Sequence, residues 1–205
     1  MHSSRFRRRL LSLAVPALLA APALAALAAS VALANSVLPM SFSEVVESAE
    51  VVAAGTVTAI NETWDAEQEA PFTEVTFSNL DVVKGQVGGE ELTLHFLGGP
   101  DPDGYVLVVS GMPQFEVGDR AVVFSAGNGV QISPLVGWSQ GLYRLFYDPG
   151  QDAFTVADHV GRAVVAIENQ EGRMESRLST ADNDETIPDA LTLDEFLDAV
   201  REALP

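Results

Sequence analysis

No cysteine occurs in the 205 residues. That absence excludes disulfides, thiolate zinc sites, a cysteine nucleophile and a lipid-anchoring N-terminal cysteine. Folding must rest on an apolar core, and a chain of this length supplies one for a single domain. Basic residues are scarce: 11 Lys+Arg stand against 29 Asp+Glu. Four of the 11 are Arg5, Arg7, Arg8 and Arg9, and no acidic residue precedes position 35, so the chain from Asn35 onward carries 7 against 29, a net charge of −22. Such a surface repels nucleic acid and anionic membranes, which excludes both as partners. It suits solubility, high salt, divalent cations or basic partners. Beyond position 34 the only histidines are His95 and His159, with no H-E-x-x-H, so no metal set is expected. No glycine-rich stretch fits a phosphate loop or a dinucleotide fingerprint, and no cofactor is expected.

What is present begins with an export pattern. Arg5 to Arg9 form a basic n-region, residues 10–34 are apolar and alanine-rich, and Ala32-Leu33-Ala34 is a small-x-small cleavage site. Residues 1–34 therefore read as a signal peptide, with Ala23-Leu24-Ala25 an earlier candidate cut. An uncleaved anchor is the other reading, since the run is long enough to span a bilayer. Arg7-Arg8-Arg9-Leu10-Leu11 also loosely fits twin-arginine export. The expected location is secreted or periplasmic, with no stable membrane anchor after cleavage.

Residues 72–85, FTEVTFSNLDVVKG, organise the rest. Val75 and Phe77 share one face of a strand, whereas Leu80 and Val82 share the other. Because side chains alternate with period two, the flip near Ser78-Asn79 requires an extra residue or a sharp bend. A long bent strand can serve two sides of a small barrel. Aspartate at Val75 or Phe77 should then unfold the domain.

Elsewhere, Ser41-Phe42-Ser43-Glu44 is a capping box opening a short helix. Residues 51–60 read as a strand with Val51, Ala53, Gly55, Val57 and Ala59 on one face, and Gly55 suggests a bend or close backbone approach. Residues 61–71 read as a polar loop. Residues 91–97 alternate, with Leu92, Leu94 and Phe96 inward and Thr93 and His95 outward. Residues 105–109, YVLVV, form a continuous apolar run that predicts a buried or covered strand. Residues 121–124 and 130–132 flank Asn128-Gly129, a strong hairpin signal in which Gly129, and not Gly127, should need positive φ. A second hairpin joins residues 142–147 and 153–156, and residues 160–167 read as the last strand. Residues 168–190 read as an acidic linker. Thr192-Leu193-Asp194-Glu195 caps a closing helix over 191–204, whose stripe is Leu193, Phe196, Leu197, Val200 and Leu204.

Candidate chemistry is sparse. Gly137-Trp138-Ser139-Gln140-Gly141 matches G-x-S-x-G, with His159 downstream and Asp148, Asp152 and Asp158 between. That elbow requires a helix after the serine, yet residues 142–147 read as strand; a turn that needs two glycines, beside a Trp that packs, accounts for the match. Asp101-Pro102-Asp103-Gly104 resembles the start of a calcium loop but has Met112 where the bidentate glutamate belongs. Asp182-Asn183-Asp184-Glu185 is a second acidic cluster.

Several stretches resemble netrin-like domains, as in the tissue inhibitors of metalloproteinases. Residues 49–57, AEVVAAGTV, resemble their first strand. Residues 73–85 resemble the second, with its closing Lys84-Gly85. Gly118-Asp119-Arg120 through Phe124, then Asn128-Gly129, resemble the later hairpin. The pattern also resembles that of secreted bacterial proteins with the motif V-KG followed by F-x-x-G-[DE]-R. The resemblance spans residues 42–141 and implies a mainly β, OB-like (Greek-key) five-stranded barrel over 37–167 with an added hairpin. Those inhibitors chelate the protease zinc through a disulfide-bonded N-terminal cysteine, which this chain lacks, so no site residue carries over. The functional expectation is a secreted, non-enzymatic protein-binding domain, with protease regulation, and a secreted metalloprotease as partner, as one version. Binding residues are expected at Tyr105, Met112 and Phe115 in and beside the exposed loop 98–113. An oligosaccharide-binding barrel, a small serine hydrolase using Ser139, and a passive envelope component are the alternatives.

Overall fold

The computed structural model describes residues 38–168, 173–178 and 190–205. The expected signal peptide, the acidic cluster at 182–185 and most of the expected linker lie outside them. Among the described residues the fold is mainly β, with one large antiparallel sheet and two helices. In chain order the elements are α1 (Phe42–Ser48), β1 (Val51–Asp65), β2 (Ala70–Lys84), β3 (Leu92–Leu97), β4 (Gly99–Pro100), β5 (Val106–Leu107), β6 (Arg120–Ser125), β7 (Leu142–Asp148), β8 (Ala153–Ala157), β9 (Arg162–Glu168), β10 (Arg173–Leu178) and α2 (Leu193–Glu202). The large sheet runs β10-β9-β8-β7-β6-β1-β2-β3, and β4 pairs β5 separately.

The parity flip in β2 is a bulge. Thr56 pairs with Ser78 and Ala54 with Asp81, so Gly55 alone faces Asn79 and Leu80. Asn79 takes φ +54°, the left-handed conformation that a bulge needs and asparagine tolerates. Gly55 fits because a Cβ there would lie 2.9 Å from Leu80 Cδ2. Phe77 and Val75 are buried, and Leu80 packs against the same cluster from the opposite parity. Val82 does not follow Leu80 inward; it is 40% exposed. A second register shift, between the Val52–Lys84 and Ala53–Val82 pairs, turns Val83 to the other core instead.

Lys84 and Gly85 close the strand for separate reasons. Lys84 Nζ donates to the carbonyls of Val46 (2.8 Å) and Glu47 (3.0 Å), satisfying the C-terminal end of α1. Gly85, at φ +79°, backs onto Glu50.

The sheet separates two cores. On one side Ala53, Val57, Val75, Phe77, Leu94 and Val123 pack together. On the other, α1 and α2 cover Val52, Val122, Phe124, Tyr143 and Val164. Strand β6 is buried on both faces, which explains its unbroken Ala121-Val122-Val123-Phe124 run. Both expected capping boxes form, Ser41 with Glu44 and Thr192 with Glu195. Hydrogen bonds from Ser41 and from Thr192 hold the Glu44 and Glu195 carboxyls below the usual glutamate range. Phe196 of α2 meets Tyr143 (centroids 4.7 Å) and Phe42 (5.6 Å), seating the helix on the sheet.

Four expectations about element boundaries and burial need correction. Residues 61–71 are not a loop: β1 runs on to Asp65 and β2 starts at Ala70. The ladder there carries polar residues on its solvent face, and Asp65 Oδ1 fixes the short turn by accepting from Glu67 N (2.8 Å) and Gln68 N (3.0 Å). Residues 130–132 form no strand; Val130 is 85% exposed. The turn at Asn128-Gly129 exists, with Gly127 O accepting from Val130 N and Gln131 N, but the chain leaves it as a loop. Among the described residues the last strand is β10, not residues 160–167; an edge strand can be polar on both faces, so its sequence lacks the apolar period that marks inner ones. Residues 105–109 are neither buried nor covered, as described below.

Strands β3 and β10 end the ladder. The outer edge of β3 is met by the loop after β6. Leu97 N–H donates to Ile132 O (2.9 Å), His95 N–H to Asn128 Oδ1 (2.9 Å), and Asn128 Nδ2 to Thr93 O (2.7 Å). Gly127 (φ +61°) and Gly129 (φ +78°) both hold left-handed backbone in that loop, contrary to the expectation for Gly129 alone. Gly127→Val and Gly129→Val should therefore lower the melting temperature by similar amounts, read by circular dichroism.

Candidate functional site

The site is a groove beneath a glycine-hinged flap. After β3, Gly98 (φ +132°) and Gly99 (φ +128°) turn the chain away from the sheet. The β4–β5 ladder, Gly99 with Leu107 and Pro100 with Val106, forms the flap's stem. Its tip is the Asp101-Pro102-Asp103-Gly104 turn. Asp101 Oδ1 accepts from Asp103 N (3.0 Å) and Tyr105 N (2.8 Å), so this carboxylate is committed to the turn. Among the described residues no three of His, Asp and Glu gather as a metal set would. Gly111, at φ +78°, returns the chain. A Cβ there would stand 3.1 Å from Trp138 Nε1.

The flap exposes the apolar run. Tyr105 is 75% exposed, Val106 65%, Leu107 42% and Val108 81%. Periodicity alone could not foresee this: four consecutive apolar residues signal burial only if another layer covers them, and none does among the described residues. Beneath the flap lies a cavity of about 310 Å³ between Ile60, Val75, Phe96, Val109, Met112 and Phe115, with Glu62 and Thr73 as polar lining. Thr73 Oγ1 donates to Gly98 O (3.0 Å), fixing the hinge to β2.

Of the three expected binding residues, the fold brings two together. Met112 and Phe115 line the groove and pack on the core. Phe115 stacks edge-on with Phe77 (5.8 Å) and lies 5.5 Å from Phe96, so it is partly a structural ring. The Arg144 guanidinium lies 5.6 Å from the centroid of the Phe115 ring and pairs with Asp119 at 3.1 Å. Tyr105 stands apart on the flap. Glu62 escapes a reading of the sequence because residues 61–71 read as loop, and Ile60 and Thr73 read as strand positions with no signal that they face the loop 98–113; the Gly98-Gly99 pair is the available signal for a hinge.

The G-x-S-x-G match is a turn. Ser139 N–H donates to Gly137 O (3.0 Å), and β7 follows directly. Gly141 is needed because a Cβ would lie 2.6 Å from Phe124 O, and Gly137 takes φ +58°. Asp158 is buried and accepts from Val160 N, Arg162 N and Arg162 Nε, closing its own turn. Burial lowers the His159 pKa, and no hydrogen bond joins it to Ser139 among the described residues. Gln140 is structural. Its Oε1 accepts from Met40 N (2.8 Å) and its Nε2 donates to Leu38 O (3.0 Å), tying down the segment before α1.

Compared with protein-family models, with curated proteins and with solved structures, the chain gives no match.

Proposed function

We propose that the protein is a secreted, non-enzymatic binding domain that takes an extended segment of a partner protein along residues 105–109. One observation carries this reading: the uncharged apolar run at residues 105–108 has side chains up to 81% exposed, and its two-residue strand β5 pairs with β4 alone among the described residues. Natural sheets blunt such edges with charge, proline or a cover, because the free backbone groups recruit another strand. Here the edge is left bare, which suits strand addition, with the groove receiving alternate side chains of the incoming segment.

Two other features favour an OB-like barrel half related to netrin-like domains. A bulged long strand, and a β3 edge stitched to residues 128–132, are what that architecture requires, although the ladder itself stays open. Regulation of a secreted metalloprotease is one version of the binding role; without cysteine it would have to act through the flap. Hydrolysis through Ser139 has two things against it: the strand that follows the turn, and the lack of a base bonded to the serine among the described residues.

Val108→Asp tests the reading at a position exposed enough to leave folding intact. A partner retained from the secreted fraction by the wild-type protein, with or without a chelator, should fall at least tenfold on the variant, while both melt alike. Equal capture by the two proteins would remove the flap edge from recognition.

A further inference from the structure

Successive residues of β2 face opposite ways. Thr73 and Val75 look into the groove, whereas Phe72 and Glu74 line a second cavity of about 380 Å³ that shares no lining residue with the first. Phe72 is buried. Trp64, 40% exposed at the far end of β1, and His95 of β3 also line it, with Gln68 and Gly129 at its rim. Glu74 and His95 stand directly opposite each other on their strands, with Nδ1 to Oε1 3.6 Å.

An inventory of donors and acceptors narrows the ligand. Gln68 Nε2 is already committed to Asp65 Oδ2 (3.0 Å) and Gly129 O (3.4 Å). Two neutral side-chain donors of the lining remain, the Thr63 hydroxyl and the Trp64 indole N–H. Against them stands the Glu74 carboxylate; the Asp65 carboxylate adds a second negative charge, although it and the Gly129 carbonyl already accept from Glu67 N, Gln68 N and Gln68 Nε2. An anion would meet two carboxylates. A neutral sugar would leave both negative charges unmatched. A flat cation that only donates, and that stacks on an indole, matches what is offered. We infer that this cavity binds a guanidinium group, an arginine side chain, between Trp64 and Glu74. The formal charge of −18 over the whole chain would draw such a ligand in. Lysine fits less well, because its ammonium is more strongly hydrated and has no planar face.

The chain has two tryptophans, so its indole N–H signals can be assigned with one variant, Trp64→Phe. The purified protein would be titrated with acetyl-Gly-Arg-Gly-amide, with the citrulline and lysine counterparts, and with L-arginine. The inference expects a saturable shift of the Trp64 indole and the Gly129 amide with the arginine peptide, and a silent Trp138. Citrulline should bind at least tenfold more weakly, and Glu74→Gln, which keeps the side chain's shape, should weaken the arginine peptide at least tenfold without moving the melting temperature. A peptide that binds tighter than L-arginine places the source in a protein chain; equal affinities place it in the free amino acid, and either supports a guanidinium site. No saturable shift, citrulline or lysine as good as arginine, or an unaffected Glu74→Gln would overturn it.

Discussion

Phe77→Asp should leave the protein without a cooperative thermal transition, whereas Val82→Asp, further along the same strand, should melt close to the wild type. Phe77 is fully buried and stacks on Phe115. Removing such a ring costs about 3–5 kcal/mol, and an unpaired charge in its place adds several more. That sum reaches the whole stability of an ordinary domain, about 5–15 kcal/mol. Val75→Asp should behave like Phe77→Asp, because Val75 lies in the same core. Val82 is 40% exposed, so a carboxylate there keeps its water. Circular dichroism on the three variants checks the pattern. Unfolding by Val82→Asp, or a wild-type melt for Phe77→Asp, would mean that the strand's inward face has been misassigned.

Gly85→Ala should cost more than any other single methyl added to a glycine of β2's surroundings, about 3 kcal/mol or more, given the left-handed penalty and a backbone clash. The added Cβ would stand 2.1 Å from Glu50 O, and the residue sits at φ +79°. A carbonyl in the backbone cannot swing aside as a side chain can, so relief requires β1 to separate from β2 where Lys84 also holds α1. Gly88→Ala is the control: it has no atom within 4 Å and no positive φ, so it should be neutral or gain a few tenths of a kcal/mol. Chemical denaturation of both variants measures the difference. Equal stabilities would contradict the close approach.

Local patterns with a one-sided physical cause were legible in the sequence. The two capping boxes, the inward row of Leu92, Leu94 and Phe96, and the parity flip in β2 all follow from spacing, and the structure bears each of them out. Three features were not legible, each because spacing omits something. The extension of β1 and β2 through residues 61–71 is polar, and a two-stranded ribbon with solvent on one side shows no apolar period. Strand β10 is an edge. Residues 105–109 carry the signature of burial, and only the absence of a covering layer among the described residues shows that they are exposed. For the site, Met112 and Phe115 could be picked out as apolar residues in a loop, but their grouping with Ile60 and Val75 depends on the bulge and on the hinge at Gly98 and Gly99.

The central functional claim is that the bare flap edge is where a partner docks. The most direct test places a photo-reactive benzophenone side chain at Val108, and separately at Val130, which is just as apolar and 85% exposed against 81%. Irradiation in the native secreted fraction should give a discrete adduct from position 108 and none from position 130. Adducts of equal yield from both positions, or from position 130 alone, would contradict the claim.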